Sequence, residues 1–265
     1  MKTNTWIRRF LPLGLLMIFS TPATAVDHNN VDAGRPLSFD DAEAIAYGER
    51  AMETGLSVVS PFQRQPGLSM VAEFLYGFAL NTQLGLDVDA VSGGRAGSAE
   101  NSFEVETIGL NILHNFNREY GRLPAFSLRG NVSVPTEEGR DGVQIHLRGI
   151  ASRALVQYDR VHINLDGVLA TSPEPDERRF RPGIVLGYSK PLGYPRRFHT
   201  TGLAEFGVRA SERKSAGAVG SLGLGLRRQI TVRSLIDVGV RLDVLASPRA
   251  PHDSLIVTAG YSIGF

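Results

Sequence analysis

The sequence predicts an all-β protein: an antiparallel transmembrane β-barrel of about twelve strands. Three observations predict it. Apolar residues recur at alternate positions along most of the chain. The alternating stretches are about 8–14 residues long, matching the roughly 9–11 that a tilted strand needs to cross a bilayer. The turns between them are unequal, some tight and some long and polar, as in outer-membrane barrels.

Residues 1–25 form the first element. Lys2, Arg8 and Arg9 precede an apolar run, Phe10 to Phe19, and Ala23-Thr24-Ala25 offers a small-x-small cleavage site. Ten helical residues reach only about 15 Å, half a bilayer core, so the run reads as a secretory signal peptide and not as a span. Cleavage is expected near Ala25. It would leave 25 Lys+Arg against 27 Asp+Glu, a mature charge near −2 that gives no case for nucleic-acid binding. The chain has 0 Cys, which excludes disulfides and a cysteine-linked lipid anchor. No later run approaches the ~18 apolar residues of a spanning helix.

Residues 26–48 are polar and rich in Gly and Pro at first, with Ser38 and Asp41 in a capping-box spacing. They read as a periplasmic N-terminal segment, long enough to enter a barrel as a partial plug. Residues 49–265 are the expected barrel. Alternation is plain at 83–90, 107–113, 124–134, 143–148, 161–166, 230–244 and 254–265, and weaker at 49–60, 69–80, 179–190, 197–210 and 216–228. Leu80-Asn81-Thr82, Gln157-Tyr158-Asp159 and Arg228-Gln229 read as tight turns, and Ser92–Ser102, Pro135–Asp141, Ser172–Glu177, Ser211–Ser215 and Ser247–Asp253 as longer loops. A soluble β-sandwich also alternates, but its strands usually run to about 5–6 residues.

In a bilayer the apolar row faces lipid and the polar row faces the lumen, and the sheet must close to pair every backbone group. The lumen row then holds Glu73, Asp87, Asp89, Arg129, His146, Arg148, Asp166, Arg181, Glu205, Arg209, Arg227, Arg233, Asp237, Arg241 and Asp243. Signs are nearly balanced, so these candidates for selectivity would largely pair with one another; a single-sign ring would point to an ion-selective pore. Twelve strands leave room for a narrow or partly filled lumen. Phe74, Tyr76 and Phe78 share the lipid face of one strand, and Tyr158, Tyr188, Tyr194 and Phe198 fall near strand ends, as an aromatic girdle requires. Tyr261, Ile263 and Phe265 share a face of the closing strand and look like the signal that outer-membrane assembly machinery reads.

Signals for chemistry are weak. His114, His146, His162, His199 and His252 and the hydroxyls of Ser127, Ser133 and Ser152 could support lipid hydrolysis, but no G-x-S-x-G occurs and no spacing specifies a site. No catalytic residue, metal ligand or cofactor is assigned. The run Gly220 to Gly225 reads as a strand, since no helix follows to cradle a phosphate.

Three stretches carry a family resemblance. Arg35-Pro36-Leu37-Ser38-Phe39-Asp40-Asp41-Ala42, then Gly48-Glu49-Arg50 and Met52-Glu53-Thr54-Gly55, resembles the opening of an outer-membrane family assigned to the MetA pathway of phenol degradation, or described simply as transporters. Phe126 to Thr136 is similar to that family's strand ending in P-T-G, although Glu137 replaces its Gly. Leu222 to Phe265 is similar to its last two strands. The resemblance implies an outer-membrane barrel for small, often aromatic or hydrophobic, molecules, and it transfers no site residue. The expected function is therefore passive diffusion of small solutes through a mixed-charge lumen, with outer-membrane lipid and the assembly machinery as partners. A lipid-acting barrel enzyme and a closed structural or adhesion barrel are the alternatives.

Overall fold

The computed structural model describes residues 35–61, 66–92, 103–136, 141–156, 158–197, 199–246 and 253–265. The leader assigned to residues 1–25, residues 26–34 and Phe198 lie outside these. The described chain forms twelve antiparallel strands: β1 (Arg50–Pro61), β2 (Gly67–Ala79), β3 (Thr82–Ser92), β4 (Phe103–Asn117), β5 (Ala125–Pro135) and β6 (Gln144–Ala154), then β7 (Arg160–Ala170), β8 (Phe180–Pro191), β9 (Thr200–Ala210), β10 (Ala218–Thr231), β11 (Ser234–Ala246) and β12 (Asp253–Gly264). Each pairs with its neighbours in sequence, and β1 pairs with β12 to close the ring, from Ala51↔Gly264 through Val59↔Ile256. Closure removes every sheet edge, the condition for strands to live in hydrocarbon.

The burial pattern is that of a barrel turned outward. On β10, Leu222, Leu224 and Leu226 are exposed, whereas Ser221 and Arg227 on either side of them, on the opposite row, are 4% and 1% exposed. The same inversion holds on β2, where Phe74 is exposed and Glu73 buried. Apolar side chains thus project outward and polar ones inward.

The strand ends joined from β1 to β2, β3 to β4, β5 to β6, β7 to β8, β9 to β10 and β11 to β12 lie at one end, and those joined from β2 to β3, β4 to β5, β6 to β7, β8 to β9 and β10 to β11 at the other. The second end carries both two-residue hairpins; in outer-membrane barrels short turns are periplasmic. Asn81 takes the left-handed φ of 58° that the β2–β3 hairpin needs, a conformation Asn tolerates.

One turn was misplaced by periodicity. The β10–β11 hairpin sits at Val232-Arg233, not at Arg228-Gln229, so residues 230–244 are not one strand. Ile230, Val232, Ile236 and Val238 keep even positions on both sides of the turn, so the alternation carries no break there. Hydroxyls mark it instead: Thr231 Oγ1 lies 2.8 Å from Ser234 Oγ and accepts from Arg233 N–H at 3.1 Å. Arg233 is consequently an exposed turn residue, outside the lumen row to which alternation assigned it.

Candidate functional site: the lumen and the segment it holds

The lumen is built by the inward rows of all twelve strands, and residues 35–46 run through it before β1 begins. Strand glycines make space for this segment. A Cβ at Gly239 would come within 2.7 Å of the Pro36 carbonyl, and one at Gly187 or Gly77 would collide with the Phe39 ring or the Ala46 carbonyl. Phe39 and Leu37 pack in an apolar cluster with Val185 and Leu203, and Ala42 in a second with Leu113, Ala125 and Ile150.

The segment's backbone has no sheet partner, so its polar groups need other ones. Wall side chains supply them. N–H groups of Ser38, Asp40, Ala42 and Ile45 donate to Glu205 Oε2 (2.7 Å), Asn164 Oδ1 (2.7 Å), Ser152 Oγ (2.9 Å) and Gln83 Oε1 (2.8 Å). Carbonyls of Arg35, Ser38 and Asp40 accept from Arg227 (2.7 Å), Arg148 (2.8 Å) and Asn164 Nδ2 (3.0 Å). The Ala42 carbonyl accepts from Asn115 Nδ2 (2.7 Å) and Ser127 Oγ (2.8 Å). Asn164 therefore grips Asp40 at both backbone groups.

Charge matches as well. Arg35 donates to Glu53 at 2.6 Å and to the Thr54 carbonyl. Asp40 accepts from Arg148 at 2.8 Å and Arg129 at 3.4 Å. Arg129 continues to Glu73 at 2.8 Å, and Arg148 to Asp166 at 2.7 Å, which His146 Nε2 also meets at 2.7 Å. A segment carboxylate is thus the middle link of a chain from Glu73 to His146.

Of the residues expected in the lumen, Glu73, Arg129, His146, Arg148 and Asp166 are brought into this one network. Asp87 accepts from Asn111 (3.2 Å) and Asn131 (2.9 Å), and Asp89 from Thr107 (2.8 Å). Glu205 holds Ser38, Arg209 pairs with Asp243 at 3.0 Å, and Arg181 pairs with Glu212 at 2.6 Å. Asp237 is buried 3.9 Å from Arg227, and Arg241 stands opposite Gly223 on the inner face. Tyr261 and Ile263 stand on the outer row of β12, with Phe265 beside Phe74, ring centroids 6.2 Å apart.

Residues that alternation did not single out do much of the holding: Glu53, Gln83, Asn111, Asn115, Asn131, Asn164 and the segment's own Arg35 and Asp40. All but the last two share the inward parity of their strands, so the uncharged members of the polar row were the available signal. His162 is enclosed, with Nδ1 2.9 Å from Ser152 Oγ, Nε2 3.1 Å from Ser189 Oγ and its ring 5.0 Å from Phe39. A Ser–His contact is what a nucleophile and base require, but Ser152 is fully buried and its oxygen already accepts from Ala42 N–H, leaving no approach for a substrate.

The walls also sort by sign. Inward charges named on β1–β3 are all acidic: Glu53, Glu73, Asp87 and Asp89. From β5 to β11 arginines dominate, interspersed with Asp166, Glu205, Asp237 and Asp243.

No protein-family model matches the chain, and no curated protein does. Solved structures match its shape. The COG4313 outer-membrane channel from Pseudomonas putida F1 superposes with a TM-score of 0.65 at 14% identity, covering 86% of this chain and 100% of that one. The fold is that of the outer-membrane β-barrels. The KdgM porin matches at 0.50 with 10% identity over 81% of this chain and 99% of that one, and a bacterial polysaccharide outer-membrane secretin at 0.50 with 12% identity over 83% and 99%. The likeness is one of fold alone, at identities too low to carry a site.

Proposed function

We propose that the protein is an outer-membrane channel that passes small solutes by passive diffusion, with residues 35–46 as a displaceable constriction in its lumen. The observation that carries this reading is how the segment is held. Its described hydrogen bonds to the wall run almost entirely to side chains, with Arg35 to the Thr54 carbonyl the exception, so leaving the lumen breaks no strand pairing and the barrel stays closed. Small aromatic or hydrophobic solutes fit the space that Phe39 and Leu37 occupy, against Val185, Leu203 and the His162 ring. The resemblance to the phenol-degradation family supports the same solute class, and the likeness to a channel and a porin supports conduction.

Residence in the outer membrane, export by the N-terminal leader and insertion by the assembly machinery belong to the same proposal. Planar-bilayer recording of pure, heat-modifiable protein tests it: discrete currents or solute flux are expected, and their absence would leave the closed structural barrel. That second reading is favoured by the density of bonds between segment and wall.

A further inference from the structure

The outer surface is not uniformly studded with large side chains. On β9 the outward residues after Thr200, counted from the shorter-turn end, are Gly202 and Ala204, flanked by Tyr188 and Lys190 on β8 and by Leu224 and Leu226 on β10. The missing side chains leave a groove of about 590 Å³ whose floor and walls are almost wholly apolar, reaching Val238 and Val240 on β11. That volume is of the size that holds a small-molecule ligand. Leu192 leans over Gly202 and closes the groove towards the turn end, its Cδ2 3.4 Å from where a Gly202 Cβ would stand.

The rim above the groove is basic. Stretches 190–200 and 228–234 carry Lys190, Arg196, Arg197, Arg228 and Arg233 and no carboxylate. The backbone bond from Gln229 N–H to the His199 carbonyl (2.8 Å) ties these two stretches together. The neighbouring turn contributes one carboxylate, Asp159, which accepts from Lys190 at 2.9 Å and from Tyr188 at 2.6 Å. Arg196, Arg197, Arg228 and Arg233 are all exposed, and Arg228 points outward beside Thr200.

An apolar trough on a lipid-facing wall, ending in a cluster of cations at membrane-surface height, has the two chemistries of one ligand. We propose that this face of β8–β11 seats an anionic glycerophospholipid, with an acyl chain over Gly202 and Ala204 and the phosphate among Lys190, Arg228 and the arginines of the 192–199 turn. Scattered cations would attract anionic lipid diffusely; here they cluster over the groove. The inference rests on the barrel lying in a bilayer and is independent of conduction.

The test uses the full chain folded in bilayers of equal phosphatidylglycerol and phosphatidylethanolamine, extracted gently, with retained lipid counted by native mass spectrometry. One phosphatidylglycerol per chain is expected, preferred over phosphatidylethanolamine. Lys190→Gln and Arg228→Gln should each weaken its retention roughly fivefold. Ala204→Leu, and separately Gly202→Leu, should fill the groove and lose the lipid while heat-modifiable migration is kept. Arg118→Gln with Arg122→Gln, across the barrel at the same end, should change nothing. Equal retention of the two lipids, preference that survives the Lys190 and Arg228 changes, or equal loss in the Arg118/Arg122 variant would overturn the proposal. Failure to enter bilayers at all would instead overturn the membrane reading.

Discussion

Removing the Asp40 carboxylate should loosen the lumen segment without touching the barrel. Asp40 is 3% exposed and accepts from Arg148 at 2.8 Å and from Arg129 at 3.4 Å. A charge-assisted bond contributes about 1.5–3 kcal/mol, and breaking one side of a buried ion pair costs about 3–5 kcal/mol because the other charge is left behind. Both arginines keep a second carboxylate, Asp166 and Glu73, so the lower end applies, about 3 kcal/mol for Asp40→Ala. At about 1.4 kcal/mol per tenfold, the unseated population should rise on the order of 100-fold.

A chain with 0 Cys offers a clean assay. Ala42→Cys places a thiol at a fully buried site of the segment, against Leu113, Ala125 and Ile150. Its rate of maleimide labelling reports how often the segment leaves. Any overpacking by the thiol is common to both backgrounds, so the ratio of rates with and without Asp40→Ala isolates the carboxylate. Bilayer recordings of the same pair should show a matching rise in open probability. Labelling rates that agree within about threefold, with heat-modifiable migration intact, would refute the reasoning that ion pairing seats the segment.

Three further outcomes follow from the same geometry. Gly187→Val should push the Phe39 ring from its place, so that Ala42→Cys labels faster while the barrel still shows heat-modifiable migration; an unchanged rate would mean that Phe39 does not anchor the segment. Arg227→Met leaves buried Asp237 with only the nearby Arg35 guanidinium and frees the Arg35 carbonyl, and should lower unfolding stability in lipid by about 3 kcal/mol, with Asp237→Leu added to it recovering much of the loss; a double variant no better than the single one would count against an electrostatic cause. Leu224→Arg places a charge on the outward row of β10 and should lower folding stability in bilayers by about 2–4 kcal/mol if that site lies near the midplane, whereas a water-facing row would tolerate it.

Period-two alternation made the fold legible because a barrel wall is physically two-sided: its strands turn an apolar row outward and a polar row into the lumen. It failed where that two-sidedness continued through a turn, at Val232-Arg233. It also under-reported the lumen. Charged residues stand out in a sequence, but Asn164, Gln83, Asn115 and Ser152 hold the segment by amide and hydroxyl groups that look ordinary on a polar row. The pairing itself was not legible, since Asp40 and Arg148 lie 108 residues apart and only closure of the ring places them face to face. The stretch Arg35 to Ala42 stood out by family resemblance and as part of an expected partial plug, but its bonds to the barrel go to wall residues that no local pattern connects to it.

The segment's charges also bear on what an emptied lumen would present. Arg35 sits against the acidic side, at Glu53, and Asp40 against the arginines of β5 and β6. The segment therefore sets a cation against the acidic wall and carboxylates against the basic one. Its departure removes one cation and three carboxylates, Asp40, Asp41 and Glu43, and uncovers an acidic face on one side and guanidinium groups, including that of Arg160, on the other. Between them lies the apolar patch of Val185 and Leu203 that Phe39 covers. Such a lumen would, on the proposed reading, favour a solute with a ring to bury and a dipole to align across the barrel over a simple ion. On the proposed reading, the sequence Leu37-Ser38-Phe39-Asp40 occupies its own wall as a resident stand-in for that kind of solute, and competition between the two is what would make passage selective.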